Sequence, residues 1–153
     1  MKFIPACLLW FMGGCVAAPP PASAKDPPSI SVEQAVIGPA TTGQFETWAV
    51  ATLVNHGAAD ALVEVRSAAA HAVVLRATNV TDAGAKMRNV LSIPVPAHGT
   101  LVLSANDYYL AFIEAQRDYV SGGHIAATLR FASGAQIEVS FLVGEATDRR
   151  NGN

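Results

Sequence analysis

His124-Ile125-Ala126-Ala127-Thr128-Leu129-Arg130-Phe131, then Ala132-Ser133-Gly134-Ala135, then Gln136-Ile137-Glu138-Val139-Ser140-Phe141-Leu142-Val143: this stretch reads as two strands joined by a hairpin loop. Upstream, short β-rich runs keep recurring between turn signals. Tyr108 to Ile113 is aromatic and aliphatic and follows a turn at Asn106-Asp107. Thr100 to Leu103 is a shorter run, and Lys86 to Ile93 leads into Pro94 and Pro96. Asp82-Ala83-Gly84 marks a turn after the run Val73 to Thr78. Ala61 to Ser67 alternates, which predicts Ala61, Val63 and Val65 on one face and Leu62, Glu64 and Arg66 on the other. Trp48 to Val54 ends at the turn Asn55-His56-Gly57, and Gly38-Pro39 breaks the pattern that begins at Ile30-Ser31-Val32-Glu33.

Eight or nine short strands at this spacing predict an all-β single domain, a sandwich or a barrel. Ala58 to Ala77 is Ala-rich and reads as helix on propensity alone. Its period-2 pattern and β-branched content favour strands instead.

The N-terminus reads as a secretion signal. Lys2 supplies the positive charge, and Ala6 to Val16 supplies an apolar stretch too short to span a bilayer as a helix. Two cleavage readings stand side by side. Ala22-Ser23-Ala24 makes residues 1–24 a signal peptide. Met12-Gly13-Gly14-Cys15 resembles a bacterial lipobox, which makes residues 1–14 a lipoprotein signal and Cys15 the lipid attachment point. A Pro/Ala-rich linker runs over 17–28, the domain runs over 29–144, and 145–153 is a polar tail. The expected location is the periplasm, free or lipid-anchored. Beyond Cys7 and Cys15 the chain has no cysteine, so the folded domain has neither a disulfide nor thiolate chemistry.

Of the 153 residues, 51% are hydrophobic and 14% charged, with a formal net charge of −2. That balance gives no electrostatic case for nucleic acid or for an anionic membrane surface. No nucleophile elbow, phosphate loop or His-Glu-x-x-His motif is present. His56, His71, His98 and His124 are not spaced as a local metal clip. His56 and His98 each precede a glycine, which favours a turn role. The scattered acidic residues offer no acid–base pair. Arg117-Asp118 and Arg149-Arg150 read as solvated surface, and Asn79-Val80-Thr81 is an incidental glycosylation sequon. An enzyme is not expected.

Four features together resemble one known family. They are Asn55-His56-Gly57, Lys86-Met87-Arg88, the segment Ile93-Pro94-Val95-Pro96-Ala97-His98-Gly99-Thr100, and the final strand pair. Over residues 29–143 the chain is similar to the periplasmic copper chaperones called PCuAC. The resemblance implies a cupredoxin-like Greek-key β-sandwich. It also implies a copper ion delivered to cytochrome oxidase.

The family's copper motif is His, ten residues, Met, twenty-one residues, His, one residue, Met. Its spacing falls here on Arg76, Met87, Tyr109 and Ala111, so only Met87 keeps a ligand-type side chain. Cu(I) is soft and takes thioether, thiolate or imidazole donors. Arg76 is a permanent cation with no lone pair to offer. Tyr109 has a phenol pKa of about 10 and Ala111 has no donor. No other methionine lies in the domain. Met87 is therefore read as flexible apolar filler, with a metal role as the alternative.

Arg76 and Tyr109 are expected to converge as the family's histidines do, either as a cation–π pair or as independent surface residues. The functional expectation is a non-catalytic binding or assembly module on the copper-chaperone scaffold. No cofactor is expected, and the partner is an unidentified periplasmic protein. Membrane contact runs only through an N-terminal lipid anchor. The alternative is an active chaperone that delivers Cu(I) towards cytochrome oxidase through a non-standard site.

Overall fold

The computed structural model describes residues 29–144. The signal, Cys15, the linker over 17–28 and the tail over 145–153 lie outside the described residues. The strands are β1 (Ile30–Ile37), β2 (Glu46–Asn55), β3 (Asp60–Arg66), β4 (Ala70–Thr81), β5 (Gly84–Asn89), β6 (Ile93–Val95), β7 (Gly99–Val102), β8 (Tyr108–Ala115), β9 (His124–Phe131) and β10 (Gln136–Val143). The Ala-rich stretch Ala58 to Ala77 is strand, in β3 and β4.

The hairpin expected over residues 124–143 is β9–β10, with Gln136 opposite Arg130 and Leu142 opposite His124. Gly134 closes its loop at φ 92°, a left-handed conformation that glycine adopts without a Cβ clash. The run Lys86 to Ile93 divides into two strands. β5 pairs with β4, and the Val90 N–H still donates to the Leu75 carbonyl at 2.9 Å. The chain then crosses over, and β6 pairs with β3.

Hydrogen bonding links the strands in the order β5-β4-β8-β2-β1-β10-β9-β3-β6, with β7 on β2. β1 joins the two halves. It pairs antiparallel with β2 on both sides of a register shift between Glu33 and Val36, and its end, Val36 and Ile37, also pairs parallel with β10. The sheet thereby folds over into a sandwich around one core. Leu75, Leu110 and Phe112 from one half meet Ile125, Leu129 and Phe141 from the other. Phe112 and Phe141 touch edge to face, with centroids 5.9 Å apart and planes at 74°.

β3 departs from simple alternation. Leu62 and Val65 are both buried, although the period-2 reading puts them on opposite faces. The register with β9 shifts between Leu62 and Glu64. That bulge adds one residue to β3 and turns both apolar side chains into the core.

Tyr119 ties a loop to the sandwich. Its hydroxyl donates to the Ala69 carbonyl at 2.7 Å, and its backbone pairs with Ala40. Burial raises the phenol above its ordinary value, and the Arg117 cation offsets part of that rise. The folded-state pKa thus exceeds the unfolded one near 10. The stabilisation is complete below about pH 10 and is lost as the pH climbs through the folded value. Tyr119→Phe is expected to lose about 1 kcal/mol at neutral pH and to show a smaller alkaline loss than wild type. Urea denaturation at neutral and alkaline pH measures both.

Candidate functional site

The positions 76, 87, 109 and 111 come together on the outer face of the β5-β4-β8-β2 half. Arg76 on β4 stands opposite Tyr109 on β8. Ala111, two residues along the same face, stands opposite Val74 on β4 and Trp48 on β2. The β4–β5 hairpin sets Met87 opposite Thr78, one same-face step from Arg76. From there the Met87 Sδ accepts a hydrogen bond from the Tyr109 hydroxyl at 2.9 Å.

The Arg76 guanidinium is taken by a carboxylate. Its Nη2 lies 3.0 Å from Glu46 Oε2, and the two side chains are 21% and 26% exposed. Arg76 is therefore not an independent surface residue, and residues 76 and 109 stand opposite each other as expected. Arg76 Nε is buried without a partner.

The register explains how these side chains meet. Glu46 is level with Ile113, and Arg76 is level with Tyr109. Between those rows runs Val74–Ala111–Trp48. The arginine stem must cross that row, and Ala111 is the member with the smallest side chain on the way. Ala111 is fully covered although it lies on the outer face. An aliphatic arginine stem is suited to covering a methyl group while its head reaches a charge. Tyr109 is also buried, whereas Met87 is 64% and Trp48 38% exposed.

Glu46 escaped sequence reasoning. Nothing local marks it, because its partner lies thirty residues away by number and two strands away in space.

The other singled-out residues do not join this cluster. His56, His71, His98 and His124 are all exposed. His98 has φ 46° and its backbone N–H donates to the Gly57 carbonyl at 3.1 Å, in keeping with a turn role. The Asn55-His56-Gly57 motif is structural at Asn55. That side chain is buried, donates to the Ala58 and Pro96 carbonyls, and accepts from the Gly57 N–H. It knots the loop after β2 to the Pro94–Gly99 segment, which joins two of the sequence marks in one contact.

Asp118 is more than solvated surface, since it accepts from both the hydroxyl and the N–H of Thr42 at 2.7 Å. Those two bonds, the hydroxyl first, hold its carboxyl below the usual range. Among the described residues no group of three or more His, Cys, Asp or Glu side chains is gathered as a metal site.

Glu46→Gln is expected to destabilise the fold by about 1–2 kcal/mol, between the values for exposed and for buried pairs, by stranding a half-buried cation. A double-mutant cycle with Arg76→Gln in urea denaturation should return a coupling energy of about 1 kcal/mol. A coupling of zero would mean that the pair is not formed in solution.

Comparisons with known proteins agree with this architecture. The family model described as "Putative lipoprotein LpqE-like" matches residues 30–143. The apo PCuAC domain from PmoF1 superposes with a TM-score of 0.64 at 18% identity, over 75% of this chain and 92% of that one. The copper-bound PCuAC domain from PmoF2 gives 0.62 at 16% identity, over 74% and 91%. The solution structure of Cu(I)-DR1885 from Deinococcus radiodurans gives 0.58 at 25% identity, over 76% and 78%. No curated protein matches.

Proposed function

We propose, from the premise that this chain belongs to the LpqE-like family, that it is an exported, non-enzymatic binding or assembly module on a PCuAC scaffold. In this reading the copper position has been converted into a protein–protein contact, and no metal is held there. One observation carries the reading: the Arg76–Glu46 ion pair lies across the face where residues 76, 87, 109 and 111 converge. A guanidinium has no lone pair to offer and cannot ligate a cuprous ion. The Tyr109 hydroxyl further donates to the Met87 sulfur, which is the single soft donor at these four positions.

The alternative reading is a chaperone that passes Cu(I) on towards cytochrome oxidase through a non-standard site. It draws support from the exposure of Met87 and from the copper bound in the PmoF2 and DR1885 structures. A Cu(I) competition titration of the purified protein, with Met87→Ala alongside, separates the two. The proposed reading expects no stoichiometric tight binding in either protein. Tight binding lost in Met87→Ala would establish the alternative.

The lipoprotein description of the family supports attachment at Cys15 over release after Ala24. The protein is then expected to carry an acyl label and to fractionate with membranes. Cys15→Ser should abolish the label and move the protein to the soluble fraction. An unlabelled, soluble wild type would instead place cleavage after Ala24.

A further inference from the structure

The hydrogen-bonded path through the sheet has two ends, and the sequence treats them differently. At one end β6 has only three residues, with Pro94 in the middle and Ile93 and Val95 turned inwards. A short strand with a proline cannot accept a full-length neighbour. At the other end β5 has six residues, no proline, and every side chain exposed.

The direction of the free backbone groups on β5 follows from two bonds. The Thr78 N–H donates to the Asp107 carbonyl, on the β8 side, at 2.7 Å. The Leu75 carbonyl accepts from Val90, on the β5 side. Odd-numbered residues of this part of β4 therefore face β5, and Ala77↔Arg88 and Asn79↔Lys86 are hydrogen-bonded pairs. Ala85, Met87 and Asn89 then turn their N–H and C=O groups away from the sheet. Their side chains lie on the face of Arg76 and Thr78, whereas Lys86 and Arg88 project from the opposite face.

Charge narrows the choice of occupant. A second copy pairing antiparallel with Met87 opposite Met87 would set Lys86 opposite Arg88 twice. Like charges directly opposite each other destabilise a strand pair. A strand with acids opposite those two positions is favoured instead. Between them, opposite Met87, an apolar residue would cover the exposed thioether. Asp82, the one acid of this hairpin, sits in the turn beyond the strand.

We infer that β5 is a docking edge for an extended partner segment in which acidic residues alternate with apolar ones, added as an eleventh strand to the ten-stranded sheet. The inference rests on the reading of the domain as a binding module and supplies the chemistry of its partner.

The test uses the full chain in the presence of a copper chelator, with a synthetic end-blocked peptide that alternates glutamate and valine. Amide hydrogen exchange by NMR is the readout. Exchange at Ala85, Met87 and Asn89 should slow by about tenfold or more when the peptide is bound, an effect that salt weakens. Lys86→Glu with Arg88→Glu should weaken the glutamate–valine peptide by about tenfold and should admit a lysine–valine peptide in its place. Met87→Pro removes an outward N–H while leaving the β4 ladder intact, and should abolish binding of either peptide.

Peptide binding without protection at those three amides would overturn the inference, as would binding indifferent to the charge reversal or no binding at all. A peptide-free dimer that protects the same amides would overturn it in favour of a second copy. With chelator present, failure here leaves the copper titration standing. Tight copper binding in that titration would in turn leave the β5 result readable.

Discussion

The register between β4 and β8 governs the outer face of this domain. Placing Arg76 opposite Tyr109 fixes Ala111 opposite Val74, and through β2 it fixes Trp48 and Glu46 as well. A one-residue slip of β4 against β8 would turn Arg76 and Val74 towards the core and bring Leu75 out to solvent. The hydrophobic core therefore enforces the geometry of the polar cluster. The inner face thus requires this pairing whatever side chains stand on the outer face.

Given that register, the side chains at the four positions depend on one another. An arginine at 76 needs a counter-charge, and Glu46 supplies it at 3.0 Å. The reach to Glu46 needs a small residue on the intervening row, and Ala111 is small where the family pattern has a methionine. With Arg76 turned to Glu46, the Tyr109 hydroxyl is left to donate to Met87. The result is a polar arrangement under an exposed thioether, with Trp48 beside it and Arg76 Nε left without a partner. Arg, Tyr, Trp and Met are the side chains enriched at protein interfaces. The same hairpin that carries Met87 also offers the free edge of β5.

Much of the fold was legible in the sequence because β structure here is written locally. The β9–β10 hairpin, the turn at Asp82-Ala83-Gly84 and the Asn55-His56-Gly57 stop each depend on neighbouring residues. The bulge in β3 was not legible. Nothing in Ala61 to Ser67 says that Val63 is the extra residue, because the bulge exists only relative to β9. Convergence of residues 76 and 109 followed from the resemblance, and the two stand opposite each other in the structure. The partner of Arg76 did not follow, because Glu46 becomes its neighbour only once β8 has been laid between β2 and β4.

The central claim is that the scaffold retains the geometry of the four positions while their side chains lack the donors. The most direct measurement is a Cu(I) competition titration of the combined variant Arg76→His, Tyr109→His, Ala111→Met, which completes the donor set around Met87. The account predicts stoichiometric Cu(I) binding in that variant, lost again when Met87→Ala is added, and none in wild type. A folded triple variant that binds no copper would contradict it, as would a wild type that already binds as tightly.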